Sequence, residues 1–227
     1  MKLDQKSFTG KSFRPLPELR INEDLNMFCL LTAWGPRNQS AKVLDFLAQN
    51  YESFFSDEEK TRAYSKLESL SREENTVRNL LLACNEWIFK ELNEEKTGVF
   101  AYELFFASFE KGKLTFAQVG QPFVYLDRPG FSLQSLGANL DFSALFAVKG
   151  KRLAPLPSAL IGLYPDTHFP VFSLPLQPED RLLFVSRDFI PMEILKTPRE
   201  QRSLENFLKL LTSENEKSPC WLGQLSV

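Results

Sequence analysis

The sequence predicts an α+β protein, and three observations carry that reading. Residues 98–130 hold three apolar runs separated by turn chemistry, the pattern of consecutive antiparallel strands. Ahead of them, apolar residues recur at helical spacing behind capping signals. Behind them come more short apolar runs, one helical stretch and a last apolar run. Strands, helices, several antiparallel strands, a helix and a strand suit a two-layer or sandwich α+β domain better than alternating βαβ units.

Residues 1–27 mix basic, polar and Pro-containing segments, with Phe8, Phe13, Leu16, Leu19 and Ile21 as anchors. They read as an edge strand or two with a loop around Pro15-Leu16-Pro17. Residues 26–31 are a short buried strand, ended by Thr32-Ala33-Trp34-Gly35-Pro36. A helix follows from about Gln39, with Ala41, Leu44, Leu47, Ala48, Tyr51, Phe54 and Phe55 on one face. Ser56 with Glu59 and Ser71 with Glu74 have capping-box spacing, which predicts helices over 57–70 and 72–94. The second carries Val77, Leu80, Leu81, Cys84, Trp87, Ile88 and Leu92.

Residues 99–109 are apolar at nearly every position, as in a strand buried on both faces. Glu110-Lys111-Gly112-Lys113 is a tight turn, 114–119 return beside the first run, and 123–126 continue after Gly120-Gln121-Pro122. The three together read as a β-meander, turned again by Arg128-Pro129-Gly130. Residues 131–157 are poorly patterned, a short helix or strand with loops. Residues 170–176 read as a strand near an edge, because they contain Pro175. A turn at 177–180 leads to a buried strand over 181–185, ended by Ser186-Arg187-Asp188. Thr197 and Pro198 predict the start of a helix reaching Leu211, and 220–227 a last strand.

One domain over 1–227 is expected, with 1–24 partly extended. A formal net charge of −2 gives no basic surplus for nucleic acid. The N-terminus lacks the apolar core of a signal peptide, and no apolar run approaches the ~18 residues of a membrane span, so a cytoplasmic protein with no membrane partner is expected. Cys29, Cys84 and Cys220 are far apart and odd in number, which predicts buried thiols. The one histidine, His168, sits beside Phe169 and Pro170, and no Gly-x-Ser-x-Gly elbow exists. Glycine-rich phosphate loops and His/Cys clusters are missing too. The strand ends at Thr32, Gly120-Gln121-Pro122, Ser186-Arg187-Asp188 and Ser218-Pro219 offer one carboxylate between them, Asp188. A hard dication would be undercoordinated there.

Those same strand ends carry a resemblance. From Leu25 onward the layout resembles the metal-dependent serine/threonine phosphatases of type 2C (the PPM family), including their bacterial sporulation-type relatives. The family's Asp-Gly-x-Gly turn resembles Thr32-Ala33-Trp34-Gly35, and its Gly-Thr-Thr strand entry resembles Gly98-Val99-Phe100. Its Gly-Asp-Ser or Gly-His-Pro step resembles Gly120-Gln121-Pro122, followed by Val124-Tyr125-Leu126-Asp127-Arg128-Pro129-Gly130. A Leu-Gly step resembles Ile161-Gly162-Leu163. The family's apolar strand ending in Ser-Asp-Gly resembles 179–188, ending in Ser186-Arg187-Asp188. Its last Asp-Asn is matched loosely by Ser218-Pro219.

The resemblance implies a four-layer αββα sandwich, two antiparallel sheets flanked by helix pairs. It also places the family's metal-holding aspartates on Thr32, Gln121, Arg187 and Ser218, none of them a carboxylate. Arg187 would repel a dication. The expected function is therefore a catalytically inactive, pseudophosphatase-like domain, without cofactor, that binds a protein partner as a regulator or scaffold in signalling. Trp34, Arg187 and Asp188 are the expected cleft or partner-binding residues, and Arg187 suits a phosphorylated segment. The alternative is a divergent manganese- or magnesium-dependent phosphatase of phosphoserine and phosphothreonine, with ligands rearranged onto Glu23, Asp24, Asp180 and Asp188.

Overall fold

The computed structural model describes residues 1–56, 64–94, 98–137, 147–148, 151–152, 156–214 and 218–226. The chain forms two compact units. The first comprises Met1–Leu16, Gly120–Ser158 and Gln177–Val227, and the second Pro17–Val119 and Ala159–Leu176.

The second unit is built on a five-stranded antiparallel sheet. Its strands are β2 (Glu18–Asn22), β3 (Met27–Ala33), β4 (Tyr102–Glu110), β5 (Lys113–Val119) and β10 (Val171–Pro175), in the order β10-β5-β4-β3-β2. β4 and β5 are joined through Lys111 and Gly112 at φ 49° and 72°, the left-handed pair that matches the twist of a two-residue hairpin. On one sheet face lie Met27, Cys29, Leu31, Tyr102, Leu104, Phe106, Ala117 and Val119. Against them pack α1 (Ser40–Ser56) and α2 (Arg72–Trp87), which continues as a π turn, Ile88–Leu92. α1 presents Val43, Leu44, Leu47, Ala48, Tyr51 and Phe54, and α2 presents Val77, Leu80, Leu81 and Cys84. Each large side chain so buried contributes roughly 1.5–3 kcal/mol. α2 starts as expected: Ser71 accepts from the Glu74 amide, and Glu74 accepts from the Ser71 amide.

The first unit holds the other five-stranded sheet: β1 (Lys2–Phe8), β6 (Phe123–Asp127), β7 (Gln134–Ser135), β11 (Arg181–Ser186) and β12 (Cys220–Ser226), in the order β1-β12-β11-β6-β7. α3 (Met192–Lys196) and α4 (Leu204–Glu214) cover one face, where Ile194, Leu204, Phe207 and Leu211 meet Tyr125, Leu183, Val185, Cys220 and Leu222. β8 (Ala147–Val148) and β9 (Lys151–Arg152) form a separate two-stranded ladder.

Several expectations need correction. The meander ends at β5: β6 pairs with β11 and β7, in the other sheet. Gly120 at φ 70° redirects the chain there, and Pro122 brings no N–H to a ladder beside β5. An apolar run does not announce which sheet it joins. Val99, expected to be buried, is 57% exposed, and β4 begins at Tyr102. Of the helix expected over 57–70, residues 57–63 lie outside the described residues and 64–70 are turns and extended chain. Ser56 instead closes α1. The last long helix begins at Leu204 rather than Pro198. Residues Arg199–Gln201 make only a 3-10 turn, and the Ser203 hydroxyl caps the helix by accepting from the Asn206 amide. Much of 131–157 lies outside the described residues, but its described parts include β7, β8 and β9.

Candidate functional site

The register of β6 on β11 places Phe123 opposite Val185, so two steps further Gln121 faces Arg187. No backbone ladder closes that step. The Gln121 side-chain amide closes it instead, accepting from the Arg187 amide at 2.8 Å and donating to the Arg187 carbonyl at 2.5 Å. A side chain thus stands in for a peptide group just before Pro122. The same Gln121 oxygen also accepts from Arg14 Nη1 at 3.0 Å. Gln121 and Arg187 are each 1% exposed, so these bonds compete with no solvent.

The Arg187 guanidinium is committed as well. Its Nη1 donates to the Leu211 carbonyl at 2.5 Å, within the last turn of α4, where cations are favoured. Its Nε lies 3.7 Å from Asp188 Oδ1, and Ser218 Oγ lies 3.5 Å from Asp188 Oδ2. Gln121, Arg187, Asp188 and Ser218 are therefore brought together in the first unit, joined by Arg14 from the chain before the second unit begins. Burial pushes the nearby Cys220 thiol up, against the opposing pull of Arg187, so it is no ready nucleophile.

These residues do not fit a dication. One carboxylate, Asp188, faces a fixed guanidinium charge, and the Gln121 oxygen already accepts from Arg14, Ser186 and the Arg187 amide. Among the described residues no group of three or more His, Cys, Asp or Glu side chains is arranged to hold a metal. Arg187, expected to suit a phosphorylated segment, is 1% exposed.

The second unit holds the other two expected residues. Thr32 is the last residue but one of the fully buried β3, and Trp34 comes just after the strand, half-buried. Directly across the ladder from Thr32 stands Glu103, 1% exposed, whose Oε2 accepts from Trp34 Nε1 at 2.8 Å. Trp34 also donates its amide to the Ala101 carbonyl. Gly35 is required where it stands, since a Cβ would lie 2.1 Å from the Val99 carbonyl oxygen. Glu103 corrects the expectation that Asp188 is the only carboxylate near the strand ends. Its signal was a single charge inside an otherwise apolar run. Arg14 was missed too, in a segment with no periodicity.

The rearranged ligand set does not assemble within either unit. Asp180 and Asp188 stand beyond opposite ends of β11, whose six residues span roughly 20 Å at ~3.3 Å per residue. Asp180 belongs to an ionic clasp, with Arg128 donating through Nε and Nη2 and the Gln177 amide at 2.8 Å. Burial alone would raise the Asp180 carboxyl, but those bonds and the charges of Arg128 and Arg199 hold it below its ordinary value. Beside it, buried Asp127 accepts from Arg181 at 2.5 Å and Arg202 at 2.6 Å. Glu23 and Asp24, exposed in the β2–β3 turn, lie at the opposite end of β3 from Thr32. His168 is exposed, and Cys29, Cys84 and Cys220 are buried free thiols as expected.

No family model matches the sequence. No curated protein matches it either. Solved structures do match it along its whole length. The PPM Ser-Thr phosphatase MsPP from Mycobacterium smegmatis, solved in complex with cacodylate, superposes with a TM-score of 0.65 at 14% identity, covering 100% of this chain and 98% of its own. PppA, described as a key regulatory component of T6SS in Pseudomonas aeruginosa, gives 0.60 at 14% identity, with 100% and 97% covered. The catalytic domain of the serine threonine protein phosphatase PstP, in complex with two manganese ions, gives 0.58 at 14% identity, with 98% and 97% covered. The chain therefore has the α+β fold of the PPM phosphatases of type 2C, as the resemblance implied.

Proposed function

We propose that this domain keeps the phosphatase fold without its dication-dependent hydrolysis, and acts by binding a protein partner as a regulator or scaffold in signalling. The observation that carries the reading is the knot at Gln121 and Arg187. By resemblance these are two positions where the family holds metal through aspartate. Here they are joined to each other by paired amide bonds, with a buried guanidinium in the midst. A site that solvates an ion with carboxylates has become one that solvates its own backbone. Thr32 and Ser218 complete the set of replaced positions, and neither supplies charge.

Protein binding is supported by what is exposed beside the knot. Phe13, next to Arg14, is 79% exposed; Phe189, next to Asp188, is 42% exposed; and Met192 is 56% exposed. Large apolar side chains on the surface are the chemistry of protein contacts. The PppA likeness supports the same direction, since that protein's role is described as regulatory.

The test is hydrolysis of an aryl phosphate by the full chain in millimolar manganese, beside an active phosphatase of this fold. The reading expects no turnover above the metal-only blank. Turnover that disappears in Asp188→Asn would restore the enzymatic reading and defeat this one.

A further inference from the structure

Between its two helices the first unit carries a surface groove. α3 ends at Lys196, and Thr197 and Pro198 continue that wall, while α4 lines the groove with Lys209 and Leu210. The cavity measures about 480 Å³, the size of a pocket that holds a ligand or a few side chains of a partner.

Much of the polar lining is committed to the fold. Thr197 Oγ1 donates to the Glu193 carbonyl at 2.8 Å, and the Thr197 carbonyl accepts from buried Arg202. The Gln201 carbonyl accepts from Asn206 Nδ2 at 3.0 Å. Leu210 is half-buried, packed against the core of the unit and still lining the groove, and Pro198 is exposed.

What the groove has left to offer is apolar surface and charge. Lys196 and Lys209 are both exposed, and neither is ion-paired to a carboxylate among the described residues. Among the residues that line the groove, one carboxylate opposes them: Glu193, a turn before Lys196 on α3. Two cations, one on each wall, therefore stand against one anion.

We infer, on the protein-binding reading above, that this groove takes an acidic segment of a protein partner. A large apolar side chain lies against Pro198 and Leu210, with a carboxylate in reach of Lys196 and Lys209. Charge complementarity selects this occupant, because an acidic segment answers both ammonium groups and a basic one adds to an existing surplus of cations. The groove also adjoins the exposed apolar side chains already described. Met192, 56% exposed, opens α3, and Phe189, 42% exposed, shortly precedes it. Exposed charges attract modestly and are screened by salt, so the contact is weak and depends on ionic strength.

The experiment is selection of a random dodecapeptide library, displayed on phage, against the full chain, followed by calorimetry with the enriched peptide. Peptides rich in Asp and Glu around a Leu, Ile or Phe are expected. Lys196→Glu combined with Lys209→Glu should weaken binding about tenfold or more, and Glu193→Gln should tighten it about twofold. Melting temperature checks that the doubly substituted chain still folds. Raising salt from about 50 to about 500 mM should weaken binding several-fold. Neutral or basic peptides, no enrichment at all, or an affinity that the lysine substitutions leave unmoved would overturn the proposal. So would displacement of the peptide by millimolar inorganic phosphate at constant ionic strength, which would make the groove a site for small anions. Peptides that lose affinity in Phe13→Ser instead would overturn this groove while leaving a protein-binding domain. Loss of the inactive reading is separate, since hydrolysis of the aryl phosphate reports it.

Discussion

Replacing Gln121 by alanine removes the amide that stands in for a rung of the β6–β11 ladder. The bonds that go with it include the Arg187 amide at 2.8 Å, the Arg187 carbonyl at 2.5 Å, Arg14 Nη1 at 3.0 Å and a longer one from Ser186 Oγ at 3.4 Å. Buried polar groups that lose a partner cost about 1–3 kcal/mol each, with bonds to charged groups at the upper end. Water entering the space left by the side chain recovers part of that. A net loss of about 4 kcal/mol remains, or roughly 8–16 °C in melting temperature for a chain of this size. Urea unfolding followed by tryptophan fluorescence reads it directly. Ser218→Ala is the control: its contact to Asp188 at 3.5 Å is at the limit of hydrogen bonding, so a loss below about 1 kcal/mol is expected. If Gln121→Ala unfolds within about 1 kcal/mol of the natural chain, the knot does not hold these strand ends and the reasoning fails.

Other perturbations have equally definite outcomes. Asp127→Ala strands Arg181 and Arg202 in a buried clasp and should cost about 3–5 kcal/mol in urea, with little change when salt is added. The lowered carboxyl of Asp180 contributes stability that is fully present above its unfolded value and is lost as pH falls through its folded one. Acid titration of unfolding should therefore show a stability loss below about pH 4 that is diminished in Arg128→Met. Gly162→Ala sets a Cβ 2.2 Å from Ile88 Cγ2 at φ 84°, and differential scanning calorimetry should show a chain destabilised by about 3 kcal/mol or more. Glu103→Leu leaves Trp34 Nε1 without this acceptor, and should shift tryptophan emission along with a loss of about 1–3 kcal/mol.

Strand and helix content was legible where one residue's neighbours decide the outcome. The Lys111-Gly112 turn, the Ser71–Glu74 box and the apolar stripe of α2 each act within a few residues. Partner choice was not legible. β6 resembles a third meander strand because Phe123-Val124-Tyr125-Leu126 is as apolar as β5, yet it pairs with β11, almost sixty residues away. Thr197-Pro198 has the chemistry of a helix start, but Arg202 is drawn to Asp127 and the Thr197 carbonyl, so α4 begins only after Ser203. In the site, Gln121 and Arg187 were found through their place in a family layout, and their mutual bonds were not. Arg14 stands 107 residues from Gln121 in sequence, and no local pattern links them. Glu103 was the one exception that a closer reading of residues 99–109 would have marked.

The most direct test of the central claim is titration of the full chain with manganese and magnesium, following heat by calorimetry and melting temperature in parallel. An ion that binds the folded chain alone must raise the melting temperature as it is added. With Gln121 bonded to Arg187 and a guanidinium buried beside Asp188, no binding heat and no shift are expected at millimolar metal. Stoichiometric binding with a rising melting temperature would mean that carboxylates elsewhere hold the ion, and would contradict the account.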